Sequence, residues 1–521
     1  MPDVRWGGTD IDASGYAGHP GLQYSPPRPT TFADLFAESQ RWADRTFLVH
    51  GERRVSFAAF IDAVNAGVGE LRDAGVQPGD RIMLYAYNSP QWVIALWSAW
   101  LGGAVPVLAN RWWKQTDVDH AIELLEPHLI LTDTPLGGVR VTTRDIGSFA
   151  AQHPTDAGLY EIDDPDATSA ILFTSGSSGL PKAVELSRRA VIANQHNILA
   201  VTKRLPHQLN PDAPQTVSLA STPMFHVGGL SNLLSNHLTG GRVVIPEGRF
   251  DAGQILGLIE REGVHNWGGG VPTMAIRVLE HPEFDSFDLS TLRSFPLGGG
   301  AAVPTALLDR MRIRLPQLAS RGLGNTWGGM TEAGGFLTAA TGRDLEKYPG
   351  TVGRPYPVVE LAIDRPDAEG VGEVLARSPT VMNGYVGIDD GTVDEEGWLH
   401  TGDLGHLTDG YLFIDGRAKD IVIRGGENIG CGQVEAALSS HPAVVEVAAI
   451  GLPHPDLGEE LAAVVVHRPC DLAPSEDELR AHVWDMLAHF AIPTRWHIST
   501  TALPTLPGEK VDKKSLAELF R

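Results

Sequence analysis

A chain of 521 residues, 42% hydrophobic and 20% charged, has the composition of an ordinary globular protein and is too long for one core, so two or more domains are expected. Its formal net charge of −23 excludes nucleic acid as a partner, because phosphate backbones are bound by clustered Lys and Arg. With only Cys431 and Cys470 there is no disulfide framework, which fits a reducing, cytoplasmic setting.

Residues 1–30 are rich in Gly and Pro, lack periodicity and read as a surface arm; no basic–apolar–small order marks a signal peptide. From Ser56 the apolar stripe Phe57, Phe60, Ile61, Val64, Val68 and Leu71 predicts a helix, with Gly75 just past its end. Pro78-Gly79-Asp80 reads as a turn and Arg81 to Ala86 as a strand. Trp92 to Ala109 has no charge, but Gly102, Gly103 and Pro106 interrupt it. A buried helix, a glycine turn and a strand (Val105 to Ala109) explain it better than a membrane span, so no integral membrane association is expected. The alternation of helix and strand implies an α/β fold with largely parallel strands. The last hundred residues read differently. Short strands at Tyr411–Ile414 and Ile421–Arg424, helix Val434–Ser440, strands Val444–Gly451 and Leu461–His467, and a capping box of Ser475 with Glu478 suggest a compact α+β unit. The division expected is an arm (1–30), a large α/β domain of parallel-rich sheets (31–416) and a small mobile α+β domain (417–521).

The strongest local motif follows the apolar strand Ala170–Phe173: Thr174-Ser175-Gly176-Ser177-Ser178-Gly179-Leu180-Pro181-Lys182. Glycines and small hydroxylated residues after a strand let backbone N–H groups converge on an anion, and Lys182 adds a cationic donor for a polyphosphate. A Ser/Gly-rich surface loop is the plainer reading of that stretch alone. It is not the GxxxxGK[ST] loop of the P-loop NTPases.

Six further motifs follow in order: Ser221-Thr222-Pro223-Met224-Phe225-His226, Gly298-Gly299-Gly300-Ala301-Ala302, Trp327-Gly328-Gly329-Met330-Thr331-Glu332, Gly397-Trp398-Leu399-His400-Thr401-Gly402-Asp403, Gly416-Arg417-Ala418-Lys419-Asp420 and Gly425-Gly426-Glu427-Asn428-Ile429. Together they resemble the adenylate-forming superfamily of acyl-CoA synthetases, firefly-type luciferases and peptide-synthetase adenylation domains, over residues 30 to 520. The resemblance implies an ATP-dependent acid–thiol ligase that activates a carboxylic acid as its acyl-adenylate and passes the acyl group to coenzyme A. Charge building on the phosphate oxygens then calls for Mg²⁺ and preorganised cations.

By resemblance, Lys510, in Leu503-Pro504-Thr505-Leu506-Pro507-Gly508-Glu509-Lys510, is the catalytic cation of adenylation. Thr174 and Thr331 contact the phosphates and Glu332 holds the metal, while Asp403 accepts from the ribose hydroxyls and Arg417 supports the nucleotide. Ser175 to Gly179, Lys182, Gly299, Gly300, Ala301, Trp327, Gly328, Gly329 and Met330 complete the nucleotide site. His226, Gly269 and Gly298 border the acyl pocket, Lys419 is the hinge of a domain rotation, and Gly425 and Gly426 face the thiol tunnel.

The chain departs from the family at two places. Gly328 stands where an aromatic residue usually stacks on adenine, with Trp327 one residue earlier; either a bulge brings Trp327 over the base or stacking is weakened. Glu509 stands where Gly normally precedes the catalytic Lys, leaving an anion beside a cation meant for phosphate. Delivery of the acyl-adenylate to a carrier protein, oxidation as in luciferases, or non-catalytic acyl-nucleotide binding are the competing readings; no carrier domain is seen after Arg521. The runs Gly268–Gly270 and Gly298–Gly300 suggest a roomy apolar tunnel for a fatty or bulky alicyclic acid. The oligomeric state, a homodimer included, is left open.

Overall fold

The computed structural model describes all residues except 1–5, 7–8, 152–159, 161–162, 175–179, 299–302, 319–321, 418–419, 426, 470–471 and 507–508. Its centre is a seven-stranded sheet ordered Gly384–Tyr385, Lys182–Ser187, Thr168–Thr174, Val105–Leu108, Arg81–Tyr85, Leu129–Thr132, Thr142–Asp145. The five strands from Thr168–Thr174 to Thr142–Asp145 run parallel, and Lys182–Ser187 closes one side antiparallel. Val105–Leu108 and Leu129–Thr132 are buried along their whole length, as expected of parallel strands covered on both faces.

The amphipathic stripe after Ser56 forms helix Phe57–Asp73, with the Ser56 hydroxyl accepting from Ala59 N at 3.1 Å. The uncharged segment forms helix Pro90–Leu101, every residue but Gln91 buried, between that helix and the sheet. Its apolar character is that of a core element; among the described residues no helix is long and apolar enough to cross a membrane.

A second sheet, Asn266–Trp267, Val217–Leu219, Arg242–Ile245, Thr46–His50, Arg53–Ser56, is also mostly parallel. The third has eight strands and is mostly antiparallel: Phe295–Leu297, Leu323–Trp327, Thr338–Thr341, Thr351–Pro355, Tyr411–Arg417, Leu399–Thr408, Gly372–Arg377, Glu360–Asp364. Tyr411–Arg417 lies in this sheet of the large body, on the expected side of the 416/417 division but for its last residue. Its neighbour in sequence, Ile421–Arg424, lies in the small unit's sheet with Glu427–Gly430, Gly458–His467, Val444–His454 and Arg495–Ser499.

The N-terminal arm is not a loose surface segment. Ile11–Asp12 pairs with Gln23–Tyr24, and Trp6 and Tyr24 are buried. Tyr24 stacks on His196 at 3.7 Å and donates its hydroxyl to Asn197 Oδ1 at 2.9 Å. Two aromatic anchors suffice to hold a chain without periodicity.

The small unit rests on helix Pro272–Leu279 of the body. Arg468 makes a bidentate pair with Glu280, both contacts 2.8 Å, and Arg277 and Thr273 both bond to Glu509.

Candidate active site

Thr174 ends its strand directly opposite Lys182. The phosphate-loop residues Ser175, Gly176, Ser177, Ser178 and Gly179 lie outside the described residues, as do Gly299, Gly300, Ala301, Lys419 and Gly426. Lys182 is not the open phosphate donor expected from sequence. Its ammonium lies 2.8 Å from Asp390 Oδ2 and 4.4 Å over the ring of Tyr385.

The same tyrosine reaches Glu332. After strand Leu323–Trp327 the chain turns through Thr331–Ala333, and Gly334 closes the turn at φ +64°, where a Cβ would sit 1.9 Å from Thr380 O. Met382 N donates to Glu332 O at 2.9 Å, and Tyr385 Oη donates to Glu332 Oε1 at 2.8 Å. Burial first, and the Glu332 carboxylate second, push the Tyr385 phenol well above its usual range, so it stays a donor. Sequence reasoning missed Tyr385 because no local motif surrounds it.

Asp403 is the most enclosed acid of the site, with no exposed surface. It pairs across the strands with Arg417, whose Nε donates to Oδ1 at 2.8 Å, while Trp327 Nε1 donates to Oδ2 at 2.8 Å. Burial raises the Asp403 pKa despite both donors. Trp327 is 1% exposed and packed among Leu337, Val352 and Leu399, so no bulge swings it over a base. Its place is behind Asp403, holding the carboxylate. Gly328 has φ +85°, and a Cβ there would come 2.5 Å from Leu337 Cγ. The missing aromatic is thus excluded by the backbone. Gly329 lies by Phe336, Met330 packs against the core, and Thr331 is buried.

Lys510 enters this site from the small unit on a hairpin in which Leu506 N donates to Lys510 O at 2.7 Å and Thr505 bridges Val511. Solvent reaches the side chain, yet protein walls it on several sides. This enclosure first, and Arg417 second, lower its pKa, against the opposing pull of Asp403 and Glu332. The charges of Arg417, Asp403 and Glu332, from strands and a turn, thus lie close enough to act on Lys510 of the hairpin.

His226 precedes helix Val227–Leu238, its ring 4.6 Å from Phe225. Gly298 N donates to Gly270 O at 2.9 Å, which brings the two glycine runs together. The four described glycines do not open onto a roomy tunnel: a Cβ would meet Asn232 at Gly268 (3.1 Å), Thr222 at Gly269 (2.9 Å), Phe295 at Gly270 (2.3 Å) and Thr326 at Gly298 (3.0 Å). The residues are small because neighbours already fill the space. A cavity of about 270 Å³ lies elsewhere, between Tyr87, Trp112, Phe225 and Phe250 of the body and Leu506 and Glu509 of the hairpin. Gly425, exposed at φ +61°, is not part of its wall.

Among the described residues no three His, Cys, Asp or Glu side chains gather as metal ligands. Glu332, with one oxygen held by Tyr385 and one left over, fits a hard ion that takes most of its ligands from phosphates and water.

Residues 35–386 match the family described as AMP-binding enzyme, and residues 433–507 its C-terminal domain. The chain belongs to the AMP-binding enzymes. Among curated relatives, a feruloyl-CoA synthase from Amycolatopsis is 32% identical over 492 residues, covering 91% of this chain and 96% of that one. A (methyl-dioxo-octahydroindenyl)propanoyl:CoA ligase from Rhodococcus jostii is 30% identical, covering 94% and 99%. Among solved structures, o-succinylbenzoate CoA synthetase from Bacillus subtilis with its acyl-adenylate superposes with a TM-score of 0.78 at 26% identity, covering 92% of this chain and 97% of that one. The same enzyme has also been solved with ATP and magnesium ion, at a TM-score of 0.77. As an AMP-binding enzyme with such relatives, the protein is an ATP-dependent, AMP-forming acid–thiol ligase.

Proposed function

We propose that the protein joins a ring-bearing carboxylic acid to coenzyme A in two steps. In the first, a carboxylate oxygen attacks the α-phosphorus of ATP, the bond to the β-phosphate oxygen breaks, and acyl-adenylate and pyrophosphate form. In the second, the thiol of coenzyme A displaces AMP. The observation that carries the reading is the buried Asp403 carboxylate held by Trp327 and Arg417, with Lys510 of the small unit within electrostatic reach of it and of Glu332.

Asp403, oriented by Trp327 and Arg417, would accept from the ribose hydroxyls, and Thr174 and Thr331 would donate to phosphate oxygens. Lys510 would neutralise charge on the attacking carboxylate and the α-phosphate. Magnesium, held through Glu332, would supply further positive charge at the phosphates. In the present arrangement the Lys510 hairpin lines one side of the 270 Å³ cavity, so rotation of the small unit about the segment near Lys419 would widen that space for the thiol arm. A ring-bearing acid is favoured over a fatty chain because the relatives named above act on feruloyl and indenyl acids.

The test is pyrophosphate release over a panel of aromatic, alicyclic and aliphatic acids, with and without coenzyme A. Acid-dependent release followed by acyl-CoA supports the reading. Release without acyl-CoA would favour delivery to a carrier protein, and no release with any acid would favour a nucleotide binder.

A further inference from the structure

Glu509 occupies the position at which the chain departs from its family's glycine, immediately before Lys510. Its φ is +62°, in the left-handed region that glycine enters freely and glutamate does not. Contacts accompany this conformation in the chain. The Glu509 carboxylate pairs with Arg277 Nη1 and lies 3.4 Å from Thr505 Oγ1, and its carbonyl accepts from Thr273 Oγ1. Arg277 also donates through Nη2 to Leu503 O at 3.4 Å. The two side chains of the ion pair are only 27% and 17% exposed, so water screens it less than a surface pair. Helix Pro272–Leu279 thus grips the hairpin at its start, through Leu503, and again at the residue joined to Lys510. A glycine would give the turn and keep the Thr273 bond to its carbonyl, but not the ion pair with Arg277.

We propose that Glu509 is a positioning residue for adenylation: through Arg277 and Thr273 it fixes Lys510 in the cleft, and its release from the helix frees the small unit for thiol transfer. This rests on the ligase reading above. It also accounts for an anion beside the catalytic cation, since Arg277 rather than Lys510 neutralises it.

Two variants test it. Glu509→Gly keeps the left-handed turn and the backbone bond to Thr273 but removes the ion pair, and Arg277→Met keeps an apolar stem and removes the charge. In single-turnover assays with the acid found by the panel, adenylation should fall on the order of 5- to 100-fold in each, the range of a coupling between two states. Transfer from the purified acyl-adenylate to coenzyme A should hold or speed up, and the double variant should lose no more than either single one. Equal loss in both half-reactions, no loss, or additive losses would overturn the proposal. Should wild type release no pyrophosphate with any acid, the ligase reading fails instead. The grip is then read by hydrogen exchange at the Leu506 and Glu509 amides: slow in wild type and faster in both variants if Glu509 positions the hairpin, unchanged if it does not.

Discussion

Both oxygens of Asp403 are occupied by donors from the chain itself, and one of those donors is a tryptophan that a motif comparison would place against adenine. Trp327→Phe keeps the buried ring and deletes the N–H, so the carboxylate loses a charge-assisted hydrogen bond worth ~1.5–3 kcal/mol. ATP should bind more weakly in a calorimetric titration, and Trp327→Phe should add little to the loss already caused by Asp403→Asn in the double variant. Additive effects would mean that Trp327 acts elsewhere. For Lys510, truncation to alanine should slow adenylation by a factor on the order of 10²–10³ while sparing thiol transfer from supplied acyl-adenylate. Equal losses in both half-reactions would refute a role confined to the first. Lys510, Glu332 and Asp403 were legible because their motifs are local in sequence. The partners that orient them were not: Tyr385 is 53 residues from Glu332, and Trp327 is 76 from Asp403. The acid that pairs with Lys182 was hidden for the same reason, lying 208 residues away.

At the scale of elements, the helices and the parallel strands were readable because burial on one stripe, or on both faces, leaves a strong pattern over a short window. Helix Phe57–Asp73 follows its stripe from a Ser56 cap. The antiparallel sheet was harder, because its strands are only half-buried: Glu360–Asp364 has no fully buried residue. Helix Val227–Leu238 carries an unannounced feature. His237 is completely buried among Phe36, Phe47, Phe57, Phe60 and Trp97, and meets the Ser39 hydroxyl through Nε2. Burial pulls its pKa from 6.5 down to about 3. Between those values the unfolded chain binds a proton that the native chain does not. Stability at this site is therefore full above pH ~6.5 and declines as pH falls toward about 3, by up to ~1.4 kcal/mol per pH unit. Urea midpoints at pH 7.5, 6.0 and 5.0 should show this slope. In His237→Met the decline should be shallower by about that amount, and an unchanged slope would remove His237 from the account.

At the scale of the molecule, two ion pairs among the described residues join the small unit to the body. Glu280, at the end of the helix that grips the Lys510 hairpin, receives Arg468 of the small unit and Arg310 of the body, and the Arg277–Glu509 pair lies on the same helix. Burial works to raise the Glu280 pKa, but Arg468 and Arg310 outweigh it and hold the carboxyl below its usual range, so it is charged at neutral pH. An interface of this kind separates at less cost than an apolar one, which suits a lid that must alternate between two half-reactions. It also makes the balance sensitive to salt, because the screening length shrinks from ~10 Å at 0.1 M to ~3 Å at 1 M ionic strength. Raising sodium chloride from 0.05 to 0.5 M should therefore slow adenylation more than thiol transfer. Glu280→Ala should reproduce part of that shift at low salt and blunt the response to added salt. The charge it removes is also a partner of Arg310, so a fall in thermal midpoint is expected alongside. That general loss is distinguished by its equal effect on both half-reactions, whereas a weakened lid contact changes their ratio. If the ratio of the two rates is the same at both salt concentrations, in wild type and in Glu280→Ala, the charged contacts do not set the position of the small unit.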